Sequence, residues 1–143
     1  MNLLAEMLSR RLVADCTDFK GLAIRLGRGP ITAYCGFDPT ASSLHVGSLK
    51  PVWVLRRLQQ MGHKAIVLIG GATGTIGDPS GRATDRPMLT NEDLDANREA
   101  LRRQIESLIP SVQGRHDPIV VDNRDWLAPM TAMFGYSTKL RGL

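Results

Sequence analysis

The sequence lacks any apolar run that approaches the roughly 20 residues a membrane helix needs. Its first residues carry Glu6 inside their apolar pattern, which is unlike a signal peptide. It has only two cysteines, Cys16 and Cys35, and they lack the spacing of metal ligands. A reducing compartment would keep both as thiols. We therefore expect a cytoplasmic protein with no metal site and no membrane partner, although an organelle would meet the same conditions.

The sequence also lacks internal repeats, low-complexity segments and linkers, because its eight prolines and fourteen glycines are spread through several turns. Its 143 residues, 43% hydrophobic and 22% charged, are ordinary for one soluble domain and too few for several. The formal net charge of +4 favours an anionic partner only weakly, since moderately basic soluble proteins are common. We predict a single domain over residues 1–143.

Apolar periodicity predicts helices at the start of the chain. A stripe of leucine and methionine predicts one helix over residues 2–13. A second short helix, capped by Asp15 or Thr17, would run through Leu26 before glycine and proline end it. Residues 1–30 are therefore predicted to be amino-terminal helices.

Three short apolar runs predict strands, namely ITAYCGF over residues 31–37, KAIVLI over 64–69 and PIVVD over 118–122. Helices fill the intervals. Ser48 as the N-cap of the first would put Pro51 in the opening turn, where the missing N–H has no partner to lose. Thr90 opens the second, and Asp93 is placed like the acidic partner of a capping box.

This alternation of strands and helices predicts an α/β fold, a Rossmann-like parallel sheet preceded by helices. The core would cover residues 31–126, and residues 127–143 form a divergent tail. In such sheets ligands bind outside the carboxyl ends of the strands. Two chemically unusual segments follow the first and second strands and are the candidate sites.

The first segment, DPTASSLHVGSL, combines small turn residues with a helix start, where backbone N–H groups and the helix dipole can hold a phosphate. That pattern is common, but the longer string YCGFDPTASSLHVGSL resembles the motif of tyrosyl-tRNA synthetases, a version of the HIGH motif of class I synthetases. The string GHKAIVLIGGATGTIGDPSG resembles the same family, and the likeness runs from Leu3 to about Trp126.

The resemblance implies a two-step reaction in which tyrosine attacks the α-phosphate of ATP and the tyrosyl group then passes to tRNA(Tyr). Positioning and charge stabilisation would supply the rate. The implied substrates are tyrosine and ATP with Mg²⁺, and the implied assembly is a homodimer. By motif position, Thr40 and His45 would contact the triphosphate, while Cys35, Gly36 and Gly47 would line the nucleotide site.

One motif position departs from the family pattern, because Ser48 stands where the HIGH motif has its second histidine. We expect ATP use to be weaker by roughly 1–3 kcal/mol if that histidine normally contacts the nucleotide. A plain helix N-cap is the alternative role for Ser48. Asp38, by the same resemblance, would lie between the amino acid and the nucleotide.

The resemblance also implies the residues that bind tyrosine. Tyr34 would hydrogen-bond the phenolic hydroxyl of the substrate. Phenylalanine lacks that hydroxyl and would leave the polar group of Tyr34 unpaired, which is how such a site rejects it. Asp78 would receive the ammonium group of the substrate, with Thr73 nearby. Asn123 and Trp126 would form part of the wall of the tyrosine-binding site. Turn chemistry alone is an alternative for Asp78, since it precedes a proline in a glycine-rich loop.

Arg82 and Arg86 lie in the loop where the family places basic residues that close over pyrophosphate. Two solvated surface charges are the alternative interpretation of these arginines. The predicted role of Arg82 and Arg86 is catalytic, as is that of Thr40 and His45.

Three rival functions share parts of this pattern. The turn in AIVLIGGATGTIG is similar to the NAD(P)-binding turn of short-chain dehydrogenases, but Asp78-Pro79 would break the helix that must follow it. Nucleotidylyltransferases have a similar histidine turn, although they usually start with a strand. A non-enzymatic truncated product is the third alternative, because the later elements of the family are missing. We therefore expect no tyrosine-dependent ATP–pyrophosphate exchange from the 143-residue polypeptide.

Overall fold

The computed structural model describes residues 3–75 and 90–130. They form an open α/β structure around three parallel strands in the order β1-β2-β3. The elements, in chain order, are α1 Leu3–Ser9, α2 Phe19–Gly27, β1 Thr32–Phe37, α3 Val46–Gln60, β2 Lys64–Ile69, a 3-10 turn Thr73–Thr75, α4 Asn91–Leu108, β3 Ile119–Asp122 and α5 Arg124–Leu127. The predicted parallel sheet and the helices that precede it are confirmed.

The register of the sheet brings the ends of its strands level. Phe37 pairs with Ile69, and Ile69 pairs with Asp122. The pairing continues one residue further, since Gly70 N–H donates to the Phe37 carbonyl at 2.9 Å and Asn123 N–H donates to the Ile69 carbonyl at 3.0 Å. The residues that follow the three strands therefore meet along one edge.

Both connecting helices cover the same face of the sheet. Alternate strand residues pack with Val52 and Leu55 of α3 and with Leu101 and Ile105 of α4 in one buried cluster. The physical reason is topological: right-handed crossovers that step across a sheet in one direction place their helices on one side. On the other face, Tyr34 is 72% exposed and Ile119 is 45% exposed.

The amino-terminal helices pack on the carboxyl-terminal half of α3. Leu3, Leu4 and Met7 of α1 are buried against Leu58. The predicted helix over residues 2–13 is too long, because Arg11 takes a left-handed φ of 55°, a conformation that a helix cannot include.

The second helix also begins later than expected. Its N-cap is Asp18, whose carboxylate accepts the Gly21 N–H at 2.8 Å, so neither Asp15 nor Thr17 caps it. A cap needs a side-chain oxygen within reach of the N–H groups of the first turn, and Asp18 is the residue placed there.

The prediction that Ser48 is the N-cap of α3 is wrong. The N-cap is His45, so Ser48 lies inside the first turn and Pro51 lies in the helix interior. Because proline has no N–H, the Gly47 carbonyl receives no hydrogen bond from position 51. The capping box of α4 is confirmed, with Thr90 and Asp93 bonded reciprocally. No helix in the described part of the chain is long and apolar enough to cross a membrane.

Candidate functional site

Three polar side chains from three different strand ends form a hydrogen-bonded chain. Asn123 Nδ2 donates to Thr73 Oγ1 at 3.1 Å, and Thr73 Oγ1 donates to Asp38 Oδ1 at 3.2 Å. Asn123 is buried, and its Oδ1 also accepts the Ala72 N–H at 2.8 Å. The structure thus brings together three residues predicted for the amino acid and its junction with ATP.

The close approach in this chain depends on Gly70. A Cβ atom at Gly70 would lie 2.2 Å from Asp38 Oδ1 and 2.6 Å from Thr73 Oγ1, distances at which real atoms overlap. Glycine lets the backbone run directly beneath the two side chains. The loop after β2 therefore closes onto the residue that follows β1.

The next glycine of the loop lies against a buried carboxylate that sequence reasoning missed. Asp122 Oδ1 accepts the N–H groups of Gly71 at 3.2 Å and Arg124 at 2.8 Å. Its Oδ2 receives Arg98 Nε at 2.6 Å. In sequence, Asp122 is only the last residue of a predicted strand, and its main partner comes from a helix residue 24 positions earlier.

Side chains of α4 hold the segment between β1 and α3. Asn97 Nδ2 donates to the Pro39 carbonyl at 3.2 Å. Gln104 spans the next part, donating to the Ser42 carbonyl at 2.9 Å and accepting the Leu44 N–H at 3.0 Å. Sequence reasoning missed both residues, although their spacing on one face of α4 was a usable signal. They fix the path of the phosphate-binding candidate segment.

The amino-terminal end of α3 and the segment before it carry the residues predicted to contact the triphosphate of ATP. His45 makes no side-chain cap bond, and its Nε2 lies 3.1 Å from Ser48 Oγ. The ring folds over Gly47, where a Cβ would lie 2.9 Å from His45 Cε1. Thr40 is exposed, and its N–H donates to the Asp38 carbonyl at 2.9 Å. An anion at this tip would meet the first N–H groups of the helix.

The predicted residues of β1 point to opposite faces of the sheet. Tyr34 lies on the face away from α3, while Cys35 packs towards the buried cluster. Burial raises the pKa of the Cys35 thiol. Cys35 borders a groove of about 450 Å³ that also includes Lys50 and Pro51. Gly36, between Tyr34 and the strand end, has space around it, since a Cβ there would lie 4.0 Å from the Leu68 carbonyl.

Asp78, Arg82 and Arg86 lie outside the described residues, so their predicted roles stay predictions. Trp126 lies in α5 with about half of its surface exposed. Within residues 3–75 and 90–130, no group of three or more His, Cys, Asp or Glu side chains could hold a metal ion. The carboxyl edge of the sheet thus offers polar partners for a small molecule, and the segment that leaves it leads to a helix tip suited to an anion.

Comparisons with known proteins agree on one family. The model of the class I tRNA synthetases (W and Y) matches residues 26–136. The tyrosine–tRNA ligase of Opitutus terrae is 47% identical over 131 residues, which are 92% of this chain and 31% of that protein. The corresponding ligase of Pectobacterium atrosepticum is 46% identical over 132 residues, with the same coverage.

Solved structures give the same result. A C-terminally truncated mitochondrial tyrosyl-tRNA synthetase from Coccidioides posadasii has a TM-score of 0.77 at 27% identity, covering 90% of this chain and 37% of that one. The enzyme from Aspergillus nidulans, also C-terminally truncated, has a TM-score of 0.74 at 27% identity, covering 89% of this chain and 39% of that one. The chain spans about a third of the length of the relatives it matches.

Proposed function

Because the chain belongs to the class I tRNA synthetases of the tryptophan and tyrosine group, we propose that it supplies the amino-terminal nucleotide-binding part of a tyrosine–tRNA ligase. Such a ligase joins the tyrosine carboxylate to the α-phosphate of ATP, releases pyrophosphate, and then passes the tyrosyl group to tRNA(Tyr). The relatives at 46–47% identity, which are tyrosine–tRNA ligases, favour tyrosine over tryptophan.

The observation that carries the proposal is the pair of polar groups at the carboxyl edge of the sheet. One is the hydrogen-bonded chain of Asp38, Thr73 and Asn123. The other is the α3 tip with His45. The segment that leaves β1 begins with Asp38 and ends at His45, so one continuous piece of chain serves both. This matches a reaction that joins an amino acid to a phosphate.

In this proposal the two groups divide the substrates. Thr40, His45 and the N–H groups around Gly47 bind the triphosphate, where they offset its negative charge. Gly36, Cys35 and Ser48 border the nucleotide. Mg²⁺ enters with ATP, whose phosphates supply its ligands.

The amino acid takes the other group. Tyr34 pairs with the phenolic hydroxyl, and Asp78 receives the ammonium group beside Thr73 and Asn123. Arg82 and Arg86 close over the pyrophosphate. The partners of the whole ligase are tRNA(Tyr) and a second copy of the protein, and its place is the cytoplasm.

A nuclear magnetic resonance titration of the 143-residue chain tests the nucleotide half of the proposal. ATP with Mg²⁺ should shift the backbone amides of Val46 and Gly47. His45→Ala should weaken the binding about tenfold, the loss of one charge-assisted hydrogen bond. Ser48→His, which restores the motif histidine, should strengthen it. His116→Ala, on an exposed loop, is the matched control and should change nothing.

Titration with tyrosine and then with phenylalanine tests the amino-acid half. Tyrosine should bind more tightly, and Tyr34→Phe should reduce that preference by about 0.5–1.5 kcal/mol, the net value of a hydrogen bond. The proposal fails if millimolar ATP leaves the α3 amides unmoved and neither amino acid binds. Equal affinity for both amino acids would remove the tyrosine assignment.

The non-enzymatic alternative shares the ligand contacts and differs in chemistry. We expect the 143-residue polypeptide alone to show no tyrosine-dependent ATP–pyrophosphate exchange, since it spans about a third of the length of its relatives. Measurable exchange would refute this. The dehydrogenase and nucleotidylyltransferase alternatives lose their support, because the family match includes the two motifs that suggested them.

A further inference from the structure

Asp122 is a buried carboxylate with two separate sets of partners. Its side chain is 3% exposed. Oδ1 accepts two backbone N–H groups, from Gly71 and Arg124. Oδ2 receives both Nε and Nη2 of Arg98, each at 2.6 Å. One oxygen therefore holds backbone, while the other holds the neutralising charge.

The guanidinium is needed because a buried carboxylate without a counter-charge is strongly destabilising. Arg98 reaches Asp122 from α4 and is itself held by Asp95, whose Oδ1 accepts Arg98 Nη1 at 2.7 Å. Burial lowers the pKa of Arg98, but its bonds to Asp122 and Asp95 outweigh that effect and raise the pKa above its usual value. Arg98 and Asp122 are thus a fixed ion pair between α4 and the end of β3.

The pair acts on the loop that carries Thr73. Two consecutive loop amides are held by two consecutive side chains, Gly71 N–H by Asp122 and Ala72 N–H by Asn123. The next residue is Thr73, whose hydroxyl bridges Asn123 and Asp38. The backbone passes so close to the carboxylate that no side chain fits at Gly71, since a Cβ there would lie 2.3 Å from Asp122 Oδ1.

We propose that Arg98 and Asp122 are a positioning pair for the amino-acid site. They fix the backbone of Gly71 and Ala72, so that the Thr73 hydroxyl is presented to the substrate. Neither residue touches the substrate itself. The inference rests on the proposed function, because it names what the fixed loop presents and to which ligand.

The test compares two variants with a control on the same helix. Asp122→Asn keeps the shape of the side chain and removes the charge that Arg98 neutralises. Arg98→Lys keeps the charge and loses the forked contact. Arg103→Ala is the control, because it breaks an exposed ion pair of α4 with Glu99, at 3.1 Å, that is remote from the loop.

Amide hydrogen exchange and tyrosine binding are measured on each folded chain. Asp122→Asn should speed exchange at Gly71 and Ala72 by about tenfold or more relative to Val67 in the centre of β2. It should weaken tyrosine binding by a similar factor and leave ATP affinity unchanged. Arg98→Lys should give smaller changes of the same kind, and Arg103→Ala should give none.

Faster exchange that is equal at Gly71 and Val67 would overturn the proposal, because it would mean a general loss of stability. Unchanged exchange at Gly71 in folded Asp122→Asn would overturn it too. Arg98→Lys carries the test if Asp122→Asn does not fold. If the wild-type chain binds neither tyrosine nor ATP, the proposed function fails, and the exchange rates alone decide whether the pair holds the loop.

Discussion

At the scale of single residues, the two loop glycines after β2 are set by neighbours far away in the sequence. Gly70 lies against Asp38, and Gly71 lies against Asp122 and Arg98. Glycine is required at both positions for a steric reason, since a polar side-chain atom already fills the space that a Cβ would occupy. A glycine-rich string indicates close approach, but it cannot show to what.

Gly71→Ala should lower the free energy of unfolding by about 1–3 kcal/mol, the usual cost of forcing an extra carbon into a packed site. The new Cβ would overlap Asp122 Oδ1 and Arg98 Nε, so either the ion pair or the loop must shift. Urea unfolding measures the change.

Gly27→Ala is the control for that substitution, because it lies in α2 with nothing within 4 Å of the new Cβ. It should be neutral or stabilise by about 0.5–1 kcal/mol, as alanine does in a helix. Equal losses in the two variants would show that the crowding around Gly71 has no energetic weight.

The positions of Asp38, Thr73 and Asn123 at one edge of the sheet could be predicted from the sequence, but the side chains that hold them there could not. The motif strings located Thr73 and the α3 tip, the family resemblance located Asn123 after the third strand, and the strand order indicated that they share an edge. The roles of Asp122 and Arg98 could not be predicted, because they depend on a contact between the end of β3 and α4 that the sequence does not reveal. The predicted N-cap at Ser48 is about one helical turn too late, because serine is a favoured N-cap residue whereas His45 makes no side-chain cap bond and gives no such signal.

At the scale of elements, the strands were easier to predict than the helix ends. All three predicted strands agree with the structure to within one residue, because continuous apolar runs bounded by turn residues have few alternatives. Helix α5, with four residues, is too short to show a period. Helix α1 ends early because of the backbone conformation of Arg11, which composition does not reveal.

His63 joins two of these elements and makes their joint stability depend on pH. It is buried just before β2, and its Nδ1 accepts the Ile31 N–H at 3.2 Å, next to the start of β1. Burial, with a smaller effect of Arg25, lowers the pKa of His63 below its usual 6.5. The folded state therefore favours the neutral ring.

The direction of the pH effect follows from this lowered pKa. Above pH 6.5 both the folded and unfolded states hold a neutral ring, so the stabilising contribution is complete. As the pH falls below 6.5 the unfolded state binds the proton first, and stability is lost until the folded pKa is reached. The loss is at most about 1.4 kcal/mol per pH unit.

Urea unfolding at about pH 7.5 and pH 5.5, on either side of the unfolded pKa, measures the effect. His63→Gln keeps an acceptor for the Ile31 N–H and should show a smaller loss on acidification than the wild type. His116→Gln, on an exposed loop, should behave like the wild type. An identical pH dependence in the wild type and His63→Gln would contradict the assignment.

At the scale of the whole molecule, the described residues form a sheet that is covered on one side. Helices α3 and α4 both pack on the face of Val67. Parallel sheets are normally covered on both faces, because their side chains are apolar on both. Tyr34 and Ile119 lie on the open face, and both are substantially exposed. The same face carries the side chain proposed to recognise the tyrosine hydroxyl.

An apolar sheet face that residues 3–75 and 90–130 leave uncovered should make the 143-residue chain associate with itself, since burying such a surface is favourable. We expect the average mass in sedimentation velocity to rise with concentration. Ile119→Lys should raise the dissociation constant about tenfold or more, because association would then bury a charge. Ile24→Lys is a matched control, since Ile24 is 48% exposed and Ile119 45%, but Ile24 lies on α2. A monomer at every concentration, or an equal effect of the two lysines, would mean that the open face does not drive association.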